Sequence, residues 1–247
     1  MSTPPQAPTD LELPAEARTA LEIPRSERID VHGGAIDPTW WNRALLERGL
    51  PGGPLRGTIA TAPANPASVT LTRGSVFQLA GPLATGRATD DEVLSLLWHA
   101  LAWGSGSKLR QNRRRLDSFV GPRAKANVDL LRSAAELSQS SPGVAYGSLI
   151  RHGGGVIGGL GPSFFTKFLY FAGAGALDHP CAILDARVAT TLNVLGWKSL
   201  RPGWSNWYTV TYQSYCDLLR RWADDESERL GHTVGIDEIE RYLFDGR

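Results

Sequence analysis

The stretch from Ile157 to Phe171, Ile-Gly-Gly-Leu-Gly-Pro-Ser-Phe-Phe-Thr-Lys-Phe-Leu-Tyr-Phe, restricts the possible folds more than any other part of the chain. Gly159-Leu160-Gly161 supplies a tight turn with exposed backbone amides. Pro162 suits the first position of the helix that follows, because its φ is already helical and the amide it lacks would have no partner there. That helix is aromatic and aliphatic, as expected of an enclosed element. A second apolar approach, Pro180-Cys181-Ala182-Ile183-Leu184, ends on Asp185 at the start of another helix.

The rest of the chain extends the helical pattern. Thr89 or Asp90 caps a segment with apolar residues at Val93, Leu96, Leu97, Ala100 and Leu101, which ends at Gly104. Asp37 or Thr39 can cap a shorter helix through Ala44, Leu45 and Leu46, closed by Gly49 and the Pro51-Gly52-Gly53-Pro54 cluster. Further helices are expected around residues 122–138, 142–152, 163–173, 185–195, 206–223 and 235–244, each bounded by Gly, Pro or Ser. Within residues 58–79, the β-favouring stretches Ser68–Thr72 and Val76–Leu79 read as short strands or extended connections. Strands do not alternate with helices as a doubly wound sheet requires, so the expected fold is mainly α. Residues 1–36 are punctuated by Pro4, Pro5, Pro8, Pro14 and Pro24 and have little apolar periodicity. They read as a flexible tail, which leaves 37–247 as the folded domain.

Charge matters here by its distribution. The whole chain balances 26 basic against 25 acidic side chains, a net +1 that marks no overall partner. Between Lys108 and Arg132, however, stand Lys108, Arg110, Arg113, Arg114, Arg115, Arg123, Lys125 and Arg132 against only Asp117 and Asp129. Such a patch calls for an anionic partner. Cys181 and Cys216 are far apart and form neither a disulfide framework nor a thiolate metal site, so a reducing cytoplasm is the simplest setting. His32, His99, His152, His179 and His232 show no metal-ligand spacing and read as structural or exposed. No apolar run approaches the ~20 residues a membrane helix needs, and the first residues do not resemble an export signal.

The turn and its helix suggest chemistry. Gly159, Gly161 and Ser163 frame a helix N-terminus able to grip a phosphate without reading sequence, with Lys108, Arg113 and Arg114 as further phosphate contacts. Lys167 sits in an apolar helix, a setting that favours a neutral, nucleophilic amine. Taken singly, a helical lysine is a solvated end on an apolar stem and an aspartate before a helix is a cap. Gly153 to Gly158 also matches Gly-x-Gly-x-x-Gly, yet Tyr146 to His152 looks helical and no βαβ unit follows, which argues against a dinucleotide site. Trp197, Trp204, Trp207, Tyr208, Tyr212 and Tyr215 form an aromatic cluster that can serve as core or as a stacking wall.

In Gly159-Leu160-Gly161, Thr166-Lys167 and Ile183-Leu184-Asp185 the chain resembles the helix-hairpin-helix superfamily of DNA glycosylases, and within it the 8-oxoguanine branch. The resemblance covers about residues 155 to 195, and the absence of a cysteine cluster separates the chain from the iron–sulfur glycosylases. It implies a helix-hairpin-helix glycosylase fold acting on DNA, in particular damaged duplex, as a monomer and without metal or cofactor. It implies extrusion of an oxidised purine such as 8-oxoguanine, attack by Lys167 on the sugar C1′, a Schiff base, and strand cleavage as an AP lyase, with Asp185 as acid–base partner. Phe171, one turn after Lys167, and Gln213 become candidates for the base pocket. One departure stands out: the family places its lysine two residues after the second glycine, where this chain has Ser163. Lys167 lies one turn further along the same face. A monofunctional enzyme relying on Asp185, or a non-catalytic DNA-binding protein of the same fold, is the alternative.

Overall fold

A computed structural model describes residues 6–57, 68–109, 111–151 and 154–246. The first half runs through α1 (Ala15–Leu21), a π-helical turn (Ser26–Asp30), β1 (Gly33–Ile36), α2 (Pro38–Leu46), β2 (Val69–Thr72), α3 (Arg73–Phe77), α4 (Gly81–Ala84), α5 (Asp90–Ser105) and α6 (Asn112–Asp117). The second half continues with α7 (Ala124–Ser138), α8 (Pro142–Ser148), β3 (Ile150–Arg151), β4 (Gly154–Gly155), α9 (Pro162–Phe171), α10 (Ala186–Leu195), α11 (Thr209–Leu230) and α12 (Ile236–Asp245). The protein is mainly α, as its periodicity predicts. Among the described residues no helix is long and apolar enough to cross a membrane.

α5 and α9 pack against each other at the centre. Both are enclosed on nearly every side: Val93, Leu94 and Leu96 through Ala102 are buried in α5, and Phe165 through Phe171 in α9. α5 starts on a reciprocal cap, in which Thr89 accepts from the Glu92 amide and Glu92 accepts from the Thr89 amide. α7 packs against both helices of the pair, α8 packs on α7 and α9, α11 packs on α8, and α12 packs on both α10 and α11. α8 and α9 are joined by the two-residue strands β3 and β4 and the glycine turn, giving a helix, a hairpin and a helix in succession.

The N-terminal residues differ from the expected tail. Residues 1–5 lie outside the described residues, but Leu11, Ala17, Leu21, Ile29 and Ile36 are all buried. Trp222 and Arg221 of α11 donate to the Leu11 carbonyl, and Arg18 of α1 pairs with the buried Glu226 at 3.0 Å. These apolar residues are too scattered among prolines to show a period, and they are held by helices from the far end of the sequence. The same contact explains why α11 runs to Leu230 and not to residue 223: its charged last turns carry Trp222, Ala223 and Glu226 on a face that the N-terminal segment covers.

The expected extended stretch at residues 58–79 is realised in part. Residues 58–67 lie outside the described residues. Val69–Thr72 is a strand, paired antiparallel with Gly33–Ile36 so that Gly33 faces Thr72. Val76 and Phe77 are instead helical, because Thr72 and Ser75 form a capping box that starts α3 and overrides their β preference. α8 stops at Ser148, before the expected end, where the chain turns into β3.

Candidate active site

Lys167 and Asp185 meet because the chain doubles back between α9 and α10. The Thr166 hydroxyl accepts from the Leu184 amide at 3.3 Å and lies 2.8 Å from the Pro162 carbonyl and 3.2 Å from the Leu184 carbonyl, to either of which it can donate. From α11, Tyr212 and Tyr215 donate to the Ala182 and Ile183 carbonyls at 2.8 and 2.7 Å. The approach to Asp185 is therefore fixed from both sides, one residue away from each member of the pair.

Asp185 caps α10 with one oxygen and faces the lysine with the other. Its Oδ1 accepts from the amides of Arg187 and Val188 at 3.0 and 3.2 Å, and Oδ2 lies 3.3 Å from Lys167 Nζ. Nζ also donates to the Ser163 carbonyl, one turn back, at 2.8 Å. The side chains are 8% and 13% exposed, so the pair is shielded but open at one edge. The stem of Lys167 runs past Gly104 of α5. A Cβ at that glycine would stand 2.7 Å from Lys167 Cδ and 3.1 Å from Cε, so the lysine can follow this path only beside glycine.

The pair opens on a cleft of about 160 Å³ walled by His32, Gly33, Gly34, Trp103, Gly104 and Phe244. Trp103 donates its indole N–H to the His32 carbonyl at 3.2 Å, and its ring stands edge-on to the imidazole at 5.4 Å. Phe244 is edge-on to His32 from the other side at 5.8 Å. Beneath them lies the fully buried Arg73, whose Nε donates to His32 Nδ1 at 3.1 Å. A guanidinium can only donate, so His32 accepts at Nδ1 and carries its proton on Nε2. Burial, followed by the positive charges of Arg73, Arg241 and Arg187, pushes the His32 pKa down to about 3. The imidazole is neutral at physiological pH.

Arg73 is itself held by a network. Burial alone would lower its pKa, but Glu240 at 2.7 Å, together with Tyr170 and Asp237, outweighs that and keeps the guanidinium charged. Arg73 also donates to the Tyr170 hydroxyl at 3.2 Å, Tyr170 donates to Asp237 at 2.8 Å, and Arg25 brackets Asp237 through two nitrogens at 2.5 and 2.7 Å. Arg25 belongs to the segment expected to be a tail, so that segment both anchors this network and supplies His32.

Part of the basic segment stands beside the hairpin turn, whereas Lys125 and Arg132 of α7 turn to Asp90 at the start of α5, Lys125 pairing with Asp129 as well. Arg115 of α6 turns inward: Nε donates to the Gly159 carbonyl at 3.0 Å, and its guanidinium lies 3.7 Å from the centre of the Phe164 ring. Burial lowers its pKa to about 10, still charged at neutral pH. Ser118 donates to the Gly158 carbonyl at 2.8 Å. Arg113 and Arg114 are left exposed next to the turn, and Lys108 is exposed in the loop before α6. Gly159 takes φ +74°, and Gly161 starts α9 with no side-chain cap. Pro162 has no amide proton and the Phe164 and Phe165 amides turn back to the Gly161 carbonyl at 2.9 and 3.0 Å, so within this turn the Ser163 amide is the donor left for an external acceptor.

Several expected residues fall elsewhere. Phe171 shares a helix face with Lys167, yet one turn further on that face meets Trp103 and Phe77, with ring centres 5.3 and 5.7 Å away, and the residue is fully buried. It backs the cleft wall and does not line it. Gln213 is also absent from the cleft: it accepts from the Gly143 amide and donates to Asp217, both at 2.8 Å. The aromatic cluster divides, with Trp197, Trp207, Tyr212 and Tyr215 in the core and Trp204 and Tyr208 exposed. Arg110, His152 and Gly153 lie outside the described residues. His32, Trp103 and Phe244 were not singled out by the sequence, since they come from three distant elements and share no local pattern. Among the described residues no group of three or more His, Cys, Asp or Glu side chains is arranged to hold a metal.

No curated protein and no solved structure gives a match to the chain. The profile of the family described as "Putative 8-oxoguanine DNA glycosylase OGG-like protein" matches residues 27–244, which include every residue of the cleft, and the chain belongs to that family.

Proposed function

We propose that the protein is a DNA glycosylase with AP-lyase activity that excises an oxidised purine such as 8-oxoguanine, with Lys167 as nucleophile. The observation that carries this reading is the Lys167–Asp185 pair at 3.3 Å on the edge of a small cleft. A cleft of about 160 Å³ is below the roughly 300 Å³ at which sites for larger ligands begin, which suits a single extruded base. Trp103 and Phe244 offer ring surfaces to it, and the fixed Nε2–H of His32 offers a donor to a carbonyl on its edge. The Ser163 amide at the start of α9, with Arg113, Arg114 and Lys108, takes the phosphates of the damaged duplex. The enzyme acts as a monomer in a reducing, cytoplasmic setting, in keeping with its two free, buried cysteines.

In the first step Asp185 takes a proton from the Lys167 ammonium. The free amine bonds to C1′ as the glycosidic bond breaks, its electron pair leaving with the base, and Asp185 returns the proton to that base. The aminal opens, O4′ leaving with the bonding pair and a proton, and a protonated Schiff base results. Loss of a C2′ proton then expels the 3′ phosphate by β-elimination, and water hydrolyses the C=N bond to restore the lysine.

Borohydride trapping on duplex DNA containing 8-oxoguanine tests the scheme. Wild type should form a covalent adduct, Lys167→Gln none, and Asp185→Asn should form it at least about 100-fold more slowly, as expected for loss of a positioned acid–base group. His32→Ala should slow base release roughly 3- to 10-fold, the worth of one hydrogen bond, yet trap normally on abasic DNA, which presents no base. An adduct that survives in Lys167→Gln removes Lys167 from the scheme. Base release without an adduct would instead mark a monofunctional enzyme in which Asp185 activates water, and tight binding with neither would mark a non-catalytic binder.

A further inference from the structure

A second pocket lies between α10 and α11. The turn Arg201-Pro202-Gly203-Trp204 closes with the Trp204 amide donating to the Arg201 carbonyl at 3.1 Å, and Gly203 takes φ +77°. Proline followed by a positive-φ glycine presets such a turn, so Arg201 and Trp204 are displayed side by side at little entropic cost. Together with Lys198, Trp207 and Tyr208 they line a cavity of about 430 Å³. Trp204 is 57% and Tyr208 64% exposed, whereas Trp207 is buried and its indole N–H has no hydrogen-bond partner. The floor is rigid, because Tyr146 donates to the Trp207 carbonyl at 2.8 Å and stacks on Tyr212.

The chemistry of this pocket is one-sided. From Ala186 to Cys216 the chain contains Arg187, Lys198 and Arg201 and no aspartate or glutamate. Lys198 reaches back to the Asn193 carbonyl at 2.9 Å, while the Arg201 guanidinium makes no hydrogen bond or ion pair to another described side chain or carbonyl. Two exposed aromatic faces beside two cations, with donors and no carboxylate, match a flat heteroaromatic base attached to a phosphate. α10 separates the pocket from Asp185 by about 15 Å, ten residues of helix. The pocket is therefore distinct from the cleft.

We propose that this pocket binds an unpaired nucleotide, its base stacked on Trp204 and Tyr208 and its phosphate held by Arg201 and Lys198. The proposal rests on DNA being the partner but not on the Lys167 chemistry. Fluorescence anisotropy with a labelled ten-residue oligothymidylate tests it. Replacing both rings, Trp204→Ala with Tyr208→Ala, should weaken binding at least about 5-fold, while Trp204→Phe, which keeps a ring, stays within about twofold of wild type. Arg201→Ala should lower the salt dependence by somewhat less than one unit of slope, as for a single lost phosphate contact. Trapping on a blunt 8-oxoguanine duplex should be unchanged in all three, so a failure of the catalytic scheme would be read separately. Undetectable oligothymidylate binding by wild type, equal affinity in the double variant, or equal loss in Trp204→Phe would overturn the proposal. Loss of a dimer in the double variant, with no change in oligothymidylate binding, would assign the surface to contacts between copies of the chain.

Discussion

Lys167 reaches Asp185 because a residue on another helix has no side chain. Gly104 lies near the end of α5, and a Cβ there would meet the lysine's Cδ and Cε and also stand 3.3 Å from Phe164 Cε1. A methyl group there meets the far part of a flexible side chain, so the backbone need not move and the lysine would swing aside. Gly104→Ala replaces a poor helix former by the best one, worth up to about 1 kcal/mol in helix propensity. The variant should therefore keep or slightly raise its Tm while its rate of adduct formation on 8-oxoguanine duplex falls roughly tenfold or more. A variant as active as wild type would show that the observed path of Lys167 is not the reactive one.

Elements that owe their form to local pattern were legible in the sequence, and elements that owe it to distant partners were not. α2, α5, α9 and α10 begin where their cap or proline signals place them, because a cap is a contact between near neighbours. Lys167 and Asp185, the proposed catalytic pair, were singled out through the same kind of short motif, and the structure brings their side chains within 3.3 Å. β1 was invisible, since Gly33-Gly34-Ala35-Ile36 has no strand propensity and is extended only by pairing with β2. With it went His32, whose orientation depends on Arg73 of α3 and, through Arg73, on Glu240 of α12. Arg73 and Glu240 are both fully buried, so removing one strands the charge of the other. Arg73→Met should lose about 3–5 kcal/mol in urea unfolding, and adding Glu240→Gln should recover part of it by neutralising the orphaned carboxylate. If the double variant is no more stable than the single one, the cost lies in packing and not in charge.

At the scale of the whole molecule, three neutral histidines from distant parts of the chain tie stability to pH. His32 sits in the cleft wall, His99 is buried in α5 against the Ser95 carbonyl at 2.7 Å, and His179 is buried in the loop after α9 with its ring 2.9 Å from the Leu169 carbonyl. Burial is the largest cause that lowers the pKa of each, to about 3 for His32. In the unfolded chain all three titrate near 6.5, so below that pH the unfolded state binds protons that the folded state refuses. Stability is therefore fully present above about pH 6.5 and declines as the pH falls toward 3. For His32 the loss at pH 5.5 is about 1 kcal/mol, less whatever the solvent at the cleft mouth screens. Glu238 and Glu240 act in the opposite sense: burial raises their pKa values above the ordinary 4.5, so from that pH upward the folded state holds protons that the unfolded chain gives up, and their contribution grows as the pH falls and offsets part of the histidine loss. Thermal melts should thus show Tm falling between pH 7 and 5.5. His99 touches neither the catalytic pair nor the second pocket, so His99→Gln should flatten that fall while leaving excision at pH 7 unchanged. A slope as steep in His99→Gln as in wild type would place the acid sensitivity in other groups.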